Sequence, residues 1–255
     1  MKIDIVTENQ MIKNKIQNLI DEFFDIEKLK IINDKQIEII VSKNYNSDFF
    51  KYSNNLAINY YKEKGIPENK ALTILPNDIN YSKFIIVVKE NVFDDKEYFS
   101  TIIHELTHVI DFINHFNNLG NVYYGNAVYD EFYFWTEFNA KRAGLERLQK
   151  ELNKTGLIIS LKSSAEIFIL ENNKMISANE KVYNLVHFLA RISIYDEMKN
   201  LAFDEQEFPR QFIISVFGSK TFKLYDLLNI AYNYEKFKVL KESIRETIDD
   251  LIIYN

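Results

Sequence analysis

No cysteine occurs anywhere in this chain, which excludes disulfides and thiolate metal sites alike. Glycine and proline are also scarce, six and three in 255 residues. With no linker rich in Pro, Gly or Ser and no internal repeat, the chain has few natural hinges. No run of about 18 apolar residues is present, so no membrane-spanning helix is expected. The start, Met1-Lys2-Ile3-Asp4-Ile5-Val6-Thr7-Glu8, carries charges where a secretory leader needs an apolar core. The expectation from this is a cytoplasmic protein, with export lacking a cleaved leader left open. Positive charge is in short supply as well: the net charge of -6 argues against sequence-independent binding to nucleic acid or to an anionic membrane surface.

What is present is ample apolar material. Hydrophobic residues make up 47% of the chain, enough for a proper core in one large domain or in two lobes around a cleft. The 20 Phe and 16 Tyr read as packing rather than as base-stacking platforms. Histidine is rare, with four in all, and two of these stand at His104 and His108 in the stretch His-Glu-Leu-Thr-His. Histidines four apart on a helix lie one turn apart on the same side, where both imidazoles can reach one metal ion. The glutamate between them, Glu105, can poise a water on that ion.

The surrounding sequence supports a helix. Asp94-Asp95-Lys96-Glu97 offers an acidic N-cap with Glu three residues later, and no Pro or Gly follows until Gly120. On a helical wheel Ile102, Leu106, Val109, Ile110 and Ile113 fall on one side, while His104, His108, Asp111 and His115 lie within roughly 60° on the other. A solvated face would carry Lys and Glu instead, so the stripe reads as a ligand face.

A catalytic metal of this kind takes three protein ligands and leaves one position for water. His115 is too far for the same ion, about 10 Å along a continuous helix from His108. A better source is the second helical stretch from Tyr129 to Gly144. There Glu137 shares a face with Ala140, Lys141 and Gly144, and the small residues permit close helix approach. Glu131 is about 120° off that face, and Asp130 lies almost two turns earlier.

His-Glu-x-x-His followed at a distance by the helical Glu137-Phe138-Asn139-Ala140 resembles the gluzincin branch of zinc metallopeptidases. With Asp111 included, it is similar to the catalytic domains of lethal-factor-type toxins and, more loosely, to the repressor-cleaving peptidases of mobile elements. The resemblance covers roughly residues 94 to 145 and is specific for the zinc site only. It implies that His104, His108 and Glu137 bind Zn2+ and that Glu105 is the general base in hydrolysis of a peptide or protein substrate. Asp111 has two readings, an acceptor that fixes an imidazole tautomer or a counter-charge to a nearby lysine. The alternative from another class is a zincin-fold binding or regulatory protein that cleaves nothing, its cleft plugged by the polar and aromatic loop from Asn117 to Val128.

Elsewhere the pattern predicts a helix over 8 to 25 with Met11, Ile12, Ile16, Ile20 and Phe24 inside, and a strand at Gln36 to Ser42. A helix over 48 to 64, ended by Gly65 and Pro67, a short strand at Leu72 to Leu75 stopped by Pro76, and a better strand at Lys83 to Val88 follow. Residues 157 to 177 suit strands turning at Asn172-Asn173, or helix. Residues 179 to 200, 221 to 235 and 237 to 253 read as three helices. The fold class expected is α+β and zincin-like: a small mixed sheet with helices and the metal helix in residues 1–120, and a mainly helical lobe carrying the third ligand in residues 121–255.

Within the stretch 179 to 200, Tyr183, His187 and Arg191 recur every four residues. The resemblance implies a His, Tyr or Arg from the second lobe to stabilise the oxyanion, and His187 is the candidate. A core histidine bonded to its neighbours reads equally well. Tyr133, one turn before Glu137, competes for the same role.

Overall fold

The computed structural model describes residues 2–32, 34–53, 58–59, 62, 69–74, 82–95, 98–119, 130–149, 154–175, 177–197, 214 and 218–253. The chain divides into two units, Met1–Val128 and Tyr129–Asn255, and together they are α+β.

Among the described residues the first unit has four strands, β1 (Lys2–Val6), β2 (Gln36–Ser42), β3 (Ala71–Ile74) and β4 (Lys83–Lys89), in spatial order β1-β2-β4-β3. The pairs β1/β2 and β2/β4 are parallel, and β3 runs antiparallel to β4 at one edge. The parallel pairs need crossovers, supplied here by helices α1 (Gln10–Phe23), α2 (Ile26–Ile31) and α3 (Tyr45–Tyr52). Because side chains alternate along each strand, the register sorts them into two faces. Ile3, Ile37 and Phe84 align across three strands, as do Ile5, Ile39 and Ile86. This face forms one core with Ile12, Ile16, Leu19 and Ile20 of α1 and with α4 (Tyr98–Leu119). The opposite face packs Ile74 and Val87 against Tyr45 and Phe49 of α3, and its far end carries Lys83 paired with Glu38 at 2.8 Å.

Local sequence signals set most of the boundaries. Asn9 caps α1, its side chain accepting from the backbone N–H of Met11 and Ile12, which satisfies donors that a helix start leaves orphaned. Met11, expected inside, is 63% exposed: it sits one residue before Ile12 and therefore about 100° around the helix from the buried row. The helix expected over 48 to 64 instead begins at Tyr45 and breaks at Ser53, whose extended backbone ends it. Gly65, Pro67 and Pro76, the expected stops, lie outside the described residues. Strand β1 was not among the expected elements, although Lys2-Ile3-Asp4-Ile5-Val6 alternates as a strand should.

The second unit is helical: α5 (Glu131–Gln149), α6 (Lys154–Lys174), α7 (Ala178–Glu197), α8 (Lys220–Ile230) and α9 (Tyr234–Ile253). The ambiguous stretch 157 to 177 is therefore helix as far as Lys174, Asn172-Asn173 included. A capping box starts α7: Glu180 N–H donates to Ser177 Oγ and Ser177 N–H to Glu180 Oε2, both at 3.2 Å. The break expected between 235 and 237 falls earlier. Ala231 ends α8, and the Asn233 side chain accepts from Lys236 N–H to start α9. The core gathers around Trp135 of α5, which stacks on Phe237 of α9 with centroids 4.7 Å apart and donates its indole N–H to the Ala231 carbonyl at 2.6 Å.

Candidate metal centre

Helix α4 brings its apolar row, Ile102, Leu106, Val109, Ile110 and Ile113, into the sheet core, each no more than 8% exposed. The polar stripe opposite is not wet either: His108, Asp111 and His115 are buried at 7%, 4% and 6% exposure, and His104 is half-buried. Burying such groups is unfavourable unless each is bonded, so a buried ordered stripe is a different object from a solvated helix face. The imidazoles of His104 and His108 stand nearly perpendicular at 85°, with their Nε2 atoms 3.0 Å apart. Ligand atoms of two imidazoles on one tetrahedral ion would lie roughly 3.3 Å apart, so the pair is already close to ligand spacing. Glu105, 6% exposed, accepts a hydrogen bond at Oε2 from Thr73 Oγ1 at 2.7 Å.

Helix α5 holds the remaining expected ligand. Asp130 caps it, Oδ1 accepting from Tyr133 N–H at 2.8 Å, and is not in the group that could share a metal ion. Glu131 is taken by Arg245 of α9, with Nε to Oε2 at 3.1 Å. Glu137 is 7% exposed among Phe134, Trp135, Phe138 and Ala140, all at 2% or less, and its Oε2 lies 2.9 Å from His187 Nε2 on α7. Burial pushes the His187 imidazole below its ordinary pKa, against the opposing pull of the Glu137 carboxylate. The His187 ring packs on Tyr183 at 4.5 Å, and Tyr183 stacks on Tyr133 at 5.7 Å. The two groups expected to compete for the oxyanion are thus joined through one aromatic column, and His187 is bonded to the expected ligand.

Among the described residues one group of His, Asp and Glu side chains is placed to share a metal ion: His104, His108 and Glu137, whose ligand atoms all lie within 4.8 Å of one another. The donor set, two imidazole nitrogens and a carboxylate oxygen, is one that borderline divalent ions accept, with a position left for water. The residues therefore fit a metal ion. His115 is not in the group, in keeping with its distance along the helix.

Thr73 was the functional candidate that sequence reasoning passed over. The signal was present in outline, since a strand at 72 to 75 was expected, but only the register of β3 on β4 shows which face a given residue joins. No helix among the described residues is long and apolar enough to cross a membrane. Comparison with known proteins finds no matching family model, no matching curated protein and no matching solved structure.

Proposed function

We propose that this chain is a zinc-dependent peptidase of zincin-like fold in which His104, His108 and Glu137 hold the ion and Glu105 is the general base. One observation carries the reading: a half-buried imidazole, a buried imidazole and a buried carboxylate offer ligand atoms within 4.8 Å of one another, with a further buried carboxylate, Glu105, next in sequence to the first ligand. When bound, the ion would lower the pKa of a water to about 7 and polarise a carbonyl. Glu105 takes the proton of the attacking water and returns it to the leaving amine, so peptide hydrolysis needs no other acid. His187 holds Glu137 through Oε2, a bond that fixes the carboxyl and favours Tyr133 as the group that meets the oxyanion. Strand β3 ends the sheet among the described residues, and an edge strand can pair with an extended peptide whatever its side chains, which supports a peptide or protein substrate.

The test has two stages. Metal analysis of the purified chain should find one zinc per chain, and a chain without tight metal overturns the proposal at once. The loaded chain is then screened against internally quenched peptides, where Glu105→Gln should abolish cleavage while keeping the metal. Cleavage that survives this substitution would reject the mechanism. A fully loaded wild-type chain that cuts nothing would instead identify a metal-holding binding or regulatory module; residues 120–128 of the loop expected to plug such a cleft lie outside the described residues, and 117–119 belong to α4.

A further inference from the structure

Thr73 stands opposite Ile86 in the β3/β4 register, and Ile86 belongs to the core that includes α4. Directly opposed residues share a face, so the pairing itself turns Thr73 toward the helix that carries the two histidines. Its hydroxyl lies 2.7 Å from Glu105 Oε2 and 3.3 Å from the Glu105 backbone carbonyl oxygen. The shorter contact is the stronger, since a hydroxyl donating to an ionised carboxylate makes a charge-assisted bond about twice as strong as one to a neutral acceptor.

A glutamate on a helix has a soft terminal torsion, so its rotamer leaves the plane of the carboxylate undetermined. A donor on a separate, sheet-bonded strand removes that freedom. It also satisfies one oxygen of a carboxylate that is only 6% exposed. The neighbours of Thr73 on the strand serve a different layer, since Leu72 and Ile74 lie on the opposite face, packed with α3. Threonine is also the hydroxyl residue best suited to a strand.

We propose that Thr73 is a positioning residue that fixes the Glu105 carboxylate for proton transfer; this rests on Glu105 being the base. The hydroxyl acts on the reaction through Glu105, the residue that both of its hydrogen bonds reach.

The experiment uses the full chain as Thr73→Val, which keeps the shape and loses the donor, and Thr73→Ser, which keeps the donor. Chemical denaturation of the metal-free protein comes first: Thr73→Val should lower the midpoint in the wild-type background and leave it unchanged in Glu105→Ala. An equal drop in both backgrounds overturns the proposal, because the hydroxyl would then act elsewhere. The metal-loaded chain is next assayed on one internally quenched peptide that the wild type cuts. Thr73→Val should lower kcat by about ten- to a hundredfold with KM and metal content unchanged, and Thr73→Ser should restore it. Full kcat in Thr73→Val, or a loss that appears in KM or in bound metal, overturns the proposal while leaving the peptidase reading intact. A loaded wild type that cuts no peptide removes Glu105 as a base and this role with it, and the denaturation cycle still reports separately on the contact.

Discussion

Helices α4 and α5 each bury polar ligand candidates, but their sequences announce them very differently. Along α4, apolar and polar residues segregate into two clean rows, the apolar one buried and the polar one buried except at half-buried His104. Helix α5 buries Phe132, Phe134, Trp135, Phe138 and Ala140 around most of its circumference, so no periodicity marks the position of Glu137. A histidine pair at helical spacing is legible because the ligands share one local element. A single glutamate among buried aromatics is marked in the sequence only by the small residues Ala140 and Gly144 on its face.

The largest effect that would break this comparison is on metal binding. His108→Ala should abolish tight zinc, read by a chelator competition assay, and Glu137→Ala should do the same despite its inconspicuous setting. If Glu137→Ala kept wild-type affinity, the carboxylate on α5 would be no ligand and the likeness between the helices would end. A smaller effect is expected one bond further out. His187→Ala removes the group on Glu137 Oε2 and should weaken zinc by about 10- to 100-fold, as loss of an outer partner typically does; an unchanged affinity would make His187 a packing residue only.

The next prediction concerns how α5 is held. Trp135→Phe deletes the indole donor to the Ala231 carbonyl and part of the ring stacked on Phe237. It should cost about 1–3 kcal/mol of unfolding free energy, measured by denaturation. A neutral result would show that the break between α8 and α9 does not depend on this bond.

The smallest effect is at Glu131. Its carboxyl is pushed up by burial but pulled down further by the Arg245 guanidinium, leaving it below the ordinary value. A depressed carboxylate contributes stability above its unfolded pKa, about 4.3, and loses it as pH falls through the lower folded value. Glu131→Gln should therefore flatten the stability profile below about pH 4.3. Because Arg245 is 47% exposed, the loss at neutral pH should be no more than about 1 kcal/mol. A variant whose acid profile matches wild type would show that this pair contributes nothing to the anchoring of α5.

Legibility followed locality throughout. Strand β2 was readable to the residue because its apolar run is bounded and β-branched, and α1 in outline from its apolar spacing, although its start, expected at 8, is set at Gln10 by the Asn9 cap. Residues 157 to 177 were not, because apolar and polar residues there suit either period; α6 is settled by packing, with Phe168 stacked on Phe188 of α7 at 4.7 Å. The end of α8 was misjudged because Asn233, an adequate cap, sits in a stretch with no proline or glycine to punctuate it.

By itself the sequence determined that His104, Glu105 and His108 share a helix with an ordered polar face, since four-residue spacing is a property of the helix and needs no partner. The face that Glu137 shares with Ala140 and Gly144 also favoured it over Glu131 and Asp130; tertiary structure alone decided that most of the histidine face is buried, that Glu131 pairs with Arg245, and that Thr73 reaches Glu105. Each of those depends on strand register or on which charges find local partners, and such choices are made between segments far apart in the chain.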